Sequence, residues 1–599
     1  MGLTLIEKII SRHSDREVRP GQISDVEIDM RVARDFGGAN VVKNLETAGL
    51  TVADPGKTYF TFDTNPGGSD QGYASNQQFC RDYARKHGIG LRDITQGIGT
   101  HIAIDDGLVG PGSTFISTDS HANIMGAIGA FGQGMGDQDI AAAWASGKVW
   151  FKVPHSVKVI LKGRPGPRAR AKDIVLKMAA ELGAGGLLGC AAEIHGDIVD
   201  EMGVADRVTI ASMCTEMGGI TALFTPNDAV MEFCNRHGAG YEMIAADDDA
   251  EYRDILEIDI EGLEPMIARP GHPDDAVPVS EVAGRRIDSV FIGSCTNGRL
   301  EDLRVAADIV RGKQIAPHVV LKVVPATRKV WEAALEEGLV KDLMDAGALV
   351  GNAGCAGCAA GQIGQNGPGE VTVSTGNRNY AGKQGKGEVY LASPATAAAS
   401  ALSGVIARED NITAPEPIVP EPRAAAATVP GTATEGGDDK PTVLKGRVWL
   451  VDQANIDTDM IFHNRHLAVT DPAEMGQHAF GNLPGWEDFP GQVQEGDIVI
   501  TGPNFGCGSS RQQAVDCFST LGVSALIAPS YGAIYERNAI NAGLPVLVGD
   551  LLQSGLKNGT EVELDLETGT LRWDGGEIRI EPFSQVQMDI YQRGGLLAR

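Results

Sequence analysis

The sequence contains few basic and few aromatic residues. Its 51 lysines and arginines stand against 79 aspartates and glutamates, so the formal net charge is −28 at pH 7. Because a nucleic-acid binder normally presents a basic surface, this charge disfavours that class of protein. Aromatic residues make up only 5% of the 599 positions, whereas glycine occurs 77 times. This combination is typical of chains with many tight turns, where the backbone approaches a ligand.

The sequence also lacks long hydrophobic runs. The N-terminal segment MGLTLIEKII carries charges at Glu7 and Lys8 and has no cleavable apolar core, so it does not read as a signal peptide. The charge-free stretch 389–407 contains Pro394 and is mostly Ala, Ser and Thr, whereas a spanning helix needs about 20 predominantly apolar residues. We therefore expect a buried helix of small residues there, and a cytoplasmic protein with reduced thiols and no membrane partner.

Short apolar runs, glycine-rich turns and helical patterns alternate along the first ~410 residues, as in RIDSVFIGSC followed by LEDLRVAADIV. This order is typical of βαβ units in an α/β protein with parallel sheets. The segment 411–445 is rich in Pro, Ala, Thr and Gly without an apolar face, which predicts an extended linker. After it, residues 446–599 predict a compact α/β module.

Nine cysteines, an odd number, do not suggest a disulfide scaffold in so long a chain. The strongest local signal is a CxxC formed by Cys355 and Cys358, with Cys295 sixty positions earlier, all in glycine-rich segments. Spacing alone leaves four interpretations open: an iron–sulfur cluster, a dithiol redox pair, a structural zinc site or buried thiols. Three thiolates on a [4Fe–4S] cluster would leave one iron without a protein ligand, as a Lewis acid.

The motifs IGSCTNGR, GNAGCAGC, STGNRNYAGKQG and STDSHANIMGAIGAF occur in chain order with GPNFGCGSSRQQA after the linker. Together they resemble the aconitase and 3-isopropylmalate dehydratase family over essentially the whole chain. The resemblance implies a three-domain α/β core around a [4Fe–4S] cluster, linked to a swivelling β/β/α domain. It predicts two α/β domains in 1–283, a cluster-bearing domain in 284–410, the linker in 411–445 and a small-subunit-like domain in 446–599. In the dehydratases the two parts are often separate subunits, which this chain would fuse.

By resemblance, Cys295, Cys355 and Cys358 bind the cluster, whose fourth iron has no protein ligand. The activity implied is the reversible dehydration of a hydroxy di- or tricarboxylic acid. The residues that match catalytic positions are Ser509 (the base that removes a proton next to a carboxylate), Asp119, His121, His101, Glu193 and Asp63. The residues that match substrate-binding positions are Arg378, Lys383, Ser510, Arg511, Asn377, Asp459, Ser120 and His466. Without the resemblance, a serine in GSSR would more simply cap a helix.

The sequence departs from the family pattern in four places. Thr64 stands where a histidine commonly protonates the leaving hydroxyl group, and Lys383 replaces an arginine, which keeps the charge but loses the bidentate fork. Gln512 and Gln513 replace Glu-His, and His466 begins a loop that commonly reads Tyr-Leu-Arg. These changes leave the substrate open among isopropylmalate, homoaconitate, aconitate, citramalate and alkyl-malates.

Two further hypotheses belong to other classes. A non-catalytic cluster sensor or RNA-binding aconitase relative would need a basic patch that the net charge disfavours, and a structural zinc protein would need a fourth ligand. We expect a polycarboxylate as the small-molecule partner, no nucleic acid, and a monomer, because the two subunits are fused.

Overall fold

The computed structural model describes residues 2–67, 70–236, 239–358, 362–413, 440–466, 469, 471–508 and 511–596, and only the backbone of Cys358. The chain divides into two compact units, Met1–Ile418 and Val419–Arg599. Most of the predicted linker, 414–439, lies outside the described residues. The domain limits given above therefore stay predictions. Among the helices of the described ranges, none combines the length and apolar character that crossing a bilayer requires.

The strands of the first unit, in chain order, are β1 (Ile23–Glu27), β2 (Met30–Arg34), β3 (Thr58–Thr61), β4 (Gly90–Arg92), β5 (Thr114–Ser117), β6 (Phe131–Gly134), β7 (Lys148–Lys152), β8 (His155–Lys162), β9 (Cys190–His195), β10 (Thr221–Leu223), β11 (Asp254–Asp259), β12 (Met266–Ala268), β13 (Ala276–Pro278), β14 (Ser289–Ile292), β15 (Val320–Val323), β16 (Leu349–Val350), β17 (Val371–Ser374) and β18 (Glu388–Ala392). Its helices are α1 (Leu5–Arg12), α2 (Gly38–Ala48), α3 (Gln71–His87), α4 (Gly99–Asp105), α5 (Asp137–Ser146), α6 (Ala171–Leu182), α7 (Val204–Ser212), α8 (Asp228–Asn235), α9 (Ser294–Asn297), α10 (Leu300–Val310), α11 (Arg328–Glu336), α12 (Leu339–Asp345) and α13 (Pro394–Ser403).

The first unit contains an antiparallel pair, β1 with β7, and three larger sheets. One has five parallel strands in the order β4-β3-β2-β5-β6, and another has four parallel strands in the order β10-β9-β8-β11. The third has the order β13-β12-β18-β17-β14-β15-β16 and is parallel from β18 to β16. Every residue of β5 and of β14 is buried, as expected for parallel strands covered on both faces. The α/β prediction is confirmed.

Helix α13 confirms the buried helix predicted within the stretch 389–407, although the first four residues of that stretch belong to strand β18. All ten of its residues are buried, and Ser393 caps its start by accepting a hydrogen bond from the Thr396 backbone N–H. Pro394 occupies the first turn, where its missing N–H costs nothing. Small side chains allow close helix packing, so this apolar stretch contributes to the hydrophobic core beside the third sheet, which contains β14 and β17.

The second unit contains one sheet of seven strands. Its strands are β19 (Val443–Val451), β20 (Ile498–Thr501), β21 (Ala525–Ala528), β22 (Val546–Val548), β23 (Glu561–Asp565), β24 (Thr570–Trp573) and β25 (Gly576–Arg579). Its helices are α14 (Thr458–Ile461), α15 (Pro472–Met475), α16 (Gln513–Thr520), α17 (Ala533–Ala542) and α18 (Gln585–Arg593). The order is β22-β21-β20-β19-β23-β24-β25, parallel up to β19 and antiparallel beyond it. An aromatic cluster that includes Phe480, Phe505 and Phe518 fills one of its two cores.

Candidate active site

The predicted site residues of the first unit follow the carboxyl ends of parallel strands. Asp63 comes two residues after β3, and Asp119 comes two residues after β5. In the other sheet, Cys295 comes three residues after β14 and Asn377 three residues after β17. Ligand sites in α/β sheets lie at this edge because the loops there converge.

A buried ion-pair network joins two of these strand ends through Arg34, at the end of β2. Arg34 donates from Nε to Asp63 Oδ1 at 2.6 Å, and its Nη1 lies 3.4 Å from Asp119 Oδ1. Burial raises the pKa of Asp63 to about 7, although Arg34 opposes the shift. Burial acts in the same direction on Asp119, but Arg34 and His121 outweigh it and lower the pKa of that carboxyl group. Asp119 is therefore the ionised carboxylate of this pair near neutral pH.

A second buried network contains a residue that the sequence analysis missed, Glu216. Its Oε1 accepts a hydrogen bond from Arg378 Nε at 2.7 Å and lies 3.3 Å from His121 Nε2. Burial tends to raise the pKa of Glu216, but His121 and Arg378 lower it overall. The other ring nitrogen of His121 lies 3.3 Å from Ser120 Oγ, so both nitrogens have side-chain partners. The signal in the sequence was a single acidic residue within the apolar segment SMCTEMGGI.

A third network surrounds His101, which is fully buried. Arg299 donates from Nη1 to His101 Nδ1 at 3.3 Å, which leaves Nε2 as the donor to the Cys295 carbonyl at 2.9 Å. Arg299 also pairs with Asp105 at 2.9 Å. Burial, reinforced by the Arg299 charge, lowers the pKa of His101 to about 4. His101 is thus a neutral imidazole that supports the backbone of a cysteine, and sequence reasoning missed its partner Arg299.

The two described cysteine side chains of the predicted cluster set lie in unusual backbone. Ser294, before Cys295, has φ +74°, and Ala356, after Cys355, has φ +49°, although neither is glycine. Such conformations concentrate at ligand sites. Cys295 Sγ donates to Asn377 Oδ1 at 3.3 Å, whereas Asn377 Nδ2 is buried without a partner among the described residues.

These features fit an iron–sulfur cluster. The thiols are soft ligands in strained loops, and the buried Asn377 Nδ2 could donate a hydrogen bond to a sulfide of the cluster. Within the described residues, no three His, Cys, Asp or Glu side chains form a metal-binding group, and the Cys358 side chain lies outside that set.

A cavity of about 290 Å³ opens beside these networks. Six of the predicted residues line it: Asp119, Ser120, His121, Cys355, Arg378 and Lys383. Arg34, Thr64 and Tyr73 also contribute to its wall. Two guanidinium groups and one ammonium group therefore face a space that contains one ionised carboxylate and one cysteine. An anion with more than one carboxylate matches this charge distribution.

Three of the predicted catalytic residues of the first unit are not among those that line the cavity, and neither are Asn377 and Cys295. Asp63 and His101 are fully buried and belong to the networks behind it. Glu193 lies elsewhere: its carboxylate accepts from the Leu5 backbone N–H at 2.6 Å and from the Tyr252 hydroxyl at 2.8 Å. Glu193 therefore lies outside the cavity lining, and the glutamate that contacts His121 is Glu216.

The second unit carries the remaining predicted residues. Asp459 pairs with Arg511 at 2.5 Å, a hydrogen bond that lowers the pKa of Asp459, and Arg511 also donates to the Phe462 carbonyl at 2.9 Å. His466 stacks on His478 with ring centroids 3.8 Å apart, and partial burial together with the neighbouring positive groups lowers the pKa of His466. Ser509 and Ser510 lie outside the described residues.

Comparison with known proteins accounts for both units. Residues 7–404 match the aconitase family (aconitate hydratase), and residues 452–548 match the aconitase C-terminal domain. The large subunit 1 of 3-isopropylmalate dehydratase from Methanopyrus kandleri is 41% identical over 411 residues, 68% of this chain and 98% of the relative. The homoaconitase large subunit of Thermus thermophilus is 39% identical over 415 residues, 69% of this chain and 98% of the relative.

Among solved structures, a 3-isopropylmalate dehydratase from Methanocaldococcus jannaschii is 36% identical, with a TM-score of 0.25, and the match covers 26% of this chain and 92% of that one. The family match alone spans well over half of the sequence and includes every strand end that forms the cavity. The resemblance read from the motifs is therefore confirmed, and the chain belongs to the aconitase family.

Proposed function

We propose that this protein is a [4Fe–4S]-dependent hydro-lyase that reversibly dehydrates a hydroxy di- or tricarboxylic acid of the 3-isopropylmalate, homoaconitate or aconitate type. The observation that carries the proposal is the cavity, where Arg34, Arg378 and Lys383 face the same space as Asp119 and Cys355. The names of the relatives support the reaction class.

We propose Cys295, Cys355 and Cys358 as the ligands of the cluster. When bound, the cluster would supply a Lewis-acidic iron that weakens the bond to the leaving hydroxyl group. The residues of the chain have separate tasks. Arg378 and Lys383 bind substrate carboxylates, and Glu216 fixes the Arg378 guanidinium through the 2.7 Å hydrogen bond. Asp119 accepts from the His121 backbone N–H at 3.0 Å and so holds the Asp-Ser-His turn in place.

We further propose that Ser509 removes the proton next to a substrate carboxylate. A serine needs positive surroundings for this task, which Arg511 and the backbone N–H groups of a glycine-rich turn would supply. In the second unit, Asp459 and the Phe462 carbonyl hold the Arg511 guanidinium. Ser510, Asn377, Ser120 and His466 are proposed as further substrate contacts.

The chain extends beyond the part matched by its large-subunit relatives, and this extension carries the C-terminal domain of the family. We propose that one polypeptide therefore contains what these relatives divide between subunits, and that it acts as a cytoplasmic monomer.

The test is metal analysis and EPR of anaerobically reconstituted protein, followed by a screen of hydroxy acids monitored by alkene absorbance. We expect about four irons and four sulfides per chain and turnover only of acids with at least two carboxylates. Zinc in place of iron, or activity restricted to a monocarboxylic acid, would contradict the proposal. Ser509→Ala should keep the cluster and lose nearly all turnover, whereas Ser519→Ala, an exposed serine on α16, should match the wild type.

A further inference from the structure

Elimination of hydroxide requires a proton at the departing oxygen, so the cavity must contain a proton donor. Thr64 is not suited to this task, because an aliphatic hydroxyl is a very weak acid. Its Oγ1 also lies 3.4 Å from Asp63 Oδ1, on the buried side of the wall. Asp63 and His101 are fully buried and do not line the cavity, so neither is placed to give a proton to a bound substrate.

The other ionisable side chains of the cavity already have partners or charges that fit different tasks. His121 has Glu216 on one ring nitrogen and Ser120 on the other. Asp119 is held ionised by Arg34 and His121, so it carries no proton to give. Lys383 supplies the positive charge that a carboxylate requires.

Thr118 and Ser120 also line the cavity, but like Thr64 they carry aliphatic hydroxyls. Once the two arginines and Cys355 are set aside as ligands of substrate and cluster, Tyr73 remains as the ionisable side chain of this lining. It lies in the first turn of α3, where Asp70 fixes the backbone by accepting from the Tyr73 N–H at 2.8 Å. Tyr73 lines the cavity together with Thr64 and Cys355. Among the described residues, the Tyr73 hydroxyl has no hydrogen-bond partner. A phenol keeps its proton at neutral pH, since its ordinary pKa is about 10, and tyrosine is an established general acid.

We propose that Tyr73 is the general acid of the dehydration, a role that rests on the proposed function. As the base removes the α-proton, the electron pair of that C–H bond forms the new C=C bond. The C–O bond breaks with its electron pair on oxygen, and the Tyr73 O–H proton moves to that oxygen, which leaves as water. The proton removed from carbon returns to the phenolate through solvent, so the net change is the loss of one water.

The test compares Tyr73→Phe with the wild type on the best substrate of the screen. A general acid contributes about 10²- to 10⁴-fold, so kcat should fall at least about 100-fold while KM changes little. The basic limb of the pH–kcat profile should disappear with the phenol. Tyr83→Phe is the matched control, because Tyr83 lies on the same helix, is buried, and stacks on His87 away from the cavity. It should leave kcat unchanged.

A second substrate separates acid catalysis from a loss of packing. The same acid with chloride in place of the hydroxyl group needs no proton to eliminate, so Tyr73→Phe should slow it far less than the hydroxy acid. Adding Thr64→His to Tyr73→Phe should restore kcat at least about tenfold. Cluster absorbance and the thermal transition confirm that each variant is folded.

Three results would overturn the role of Tyr73: an unchanged kcat, a change in KM alone, or equal losses on the hydroxy and chloro acids. If the wild type with its cluster converts neither acid, the proposed function itself fails and the role of Tyr73 falls with it. If the wild type converts the hydroxy acid and Tyr73→Phe converts it equally well, only the role of Tyr73 is overturned.

Discussion

The ion pair between Arg299 and Asp105 provides the sharpest test of the network behind the cavity. Each side chain is only 6% exposed, and the two groups lie 2.9 Å apart. Asp105 also accepts a hydrogen bond from Thr327 Oγ1 at 3.1 Å. Burial tends to raise the pKa of Asp105, but the charges of Arg299 and His101 outweigh it and lower that pKa. Removing the carboxylate charge leaves a buried guanidinium without its counter-ion.

Breaking a buried pair in this way costs about 3–5 kcal/mol, and no discount for solvent screening is needed at this burial. Asp105→Asn keeps the shape and the acceptor for Thr327, so we expect a loss near the lower end, about 3 kcal/mol. The matched control is Asp308→Asn. Asp308 forms an exposed pair with Arg311 at 2.7 Å, and exposed pairs contribute about 0–1 kcal/mol.

The assay is urea unfolding of the cluster-free protein, followed by circular dichroism, for the two single variants and for Asp105→Asn with Arg299→Met. The double variant should be more stable than Asp105→Asn alone, because it no longer buries an unpaired charge. Because the folded pKa of Asp105 lies below its unfolded value, its contribution is present above about pH 4 and is lost below it. The loss caused by Asp105→Asn should therefore shrink as the pH falls through that range. A loss no larger than that of Asp308→Asn, or a double variant less stable than the single one, would refute the reasoning.

Two further predictions concern charge. The pKa of His101 is lowered from 6.5 to about 4. Between these pH values the unfolded chain binds a proton that the folded chain does not. The free energy of unfolding should therefore fall by about 3 kcal/mol as the pH drops through this range. His101→Gln should flatten this dependence, whereas His155→Gln, at an exposed position, should not; equal slopes in pH-dependent unfolding would contradict the assignment. The net charge of −28 repels an anionic substrate at long range, so kcat/KM should rise with ionic strength as the Debye length shrinks from about 30 Å to about 8 Å. A steady fall would mean that the cavity cations dominate the encounter.

Much of the fold could be predicted because the periodicity of apolar residues and the residue types that form turns are local properties of the sequence. The run RIDSVFIGSC contains β14, LEDLRVAADIV is α10, and the helical pattern after GPNFGCG contains α16. The pairing order of the sheets could not be predicted in the same way, since strands such as β12 and β18 pair across more than a hundred residues. Nothing in the local pattern specifies such a pairing.

The site could be predicted only where a motif carried it. Asp119, His121, Cys355, Arg378 and Lys383 were named from motifs and line one cavity. Glu193 was named by resemblance, from the segment AAEIHG, whereas Glu216 was missed because its segment SMCTEMGGI was not recognised as a motif. What separates them is the partner: Glu216 lies 95 positions from His121 and meets it only in three dimensions, as does Arg299 with His101.

The charged residues around the cavity form two layers with different physical requirements. Groups of the inner layer, such as His101, Arg299 and Asp105, are paired with one another, and His101 holds the backbone of Cys295. Groups of the outer layer, such as Arg378 and Lys383, face the cavity and can exchange water for a carboxylate. A change in the inner layer should therefore act first on stability, whereas a change in the outer layer should act first on KM. The same division explains why an acidic chain can bind an anion: the net charge describes its surface, and the few cations that matter are gathered where strand ends converge.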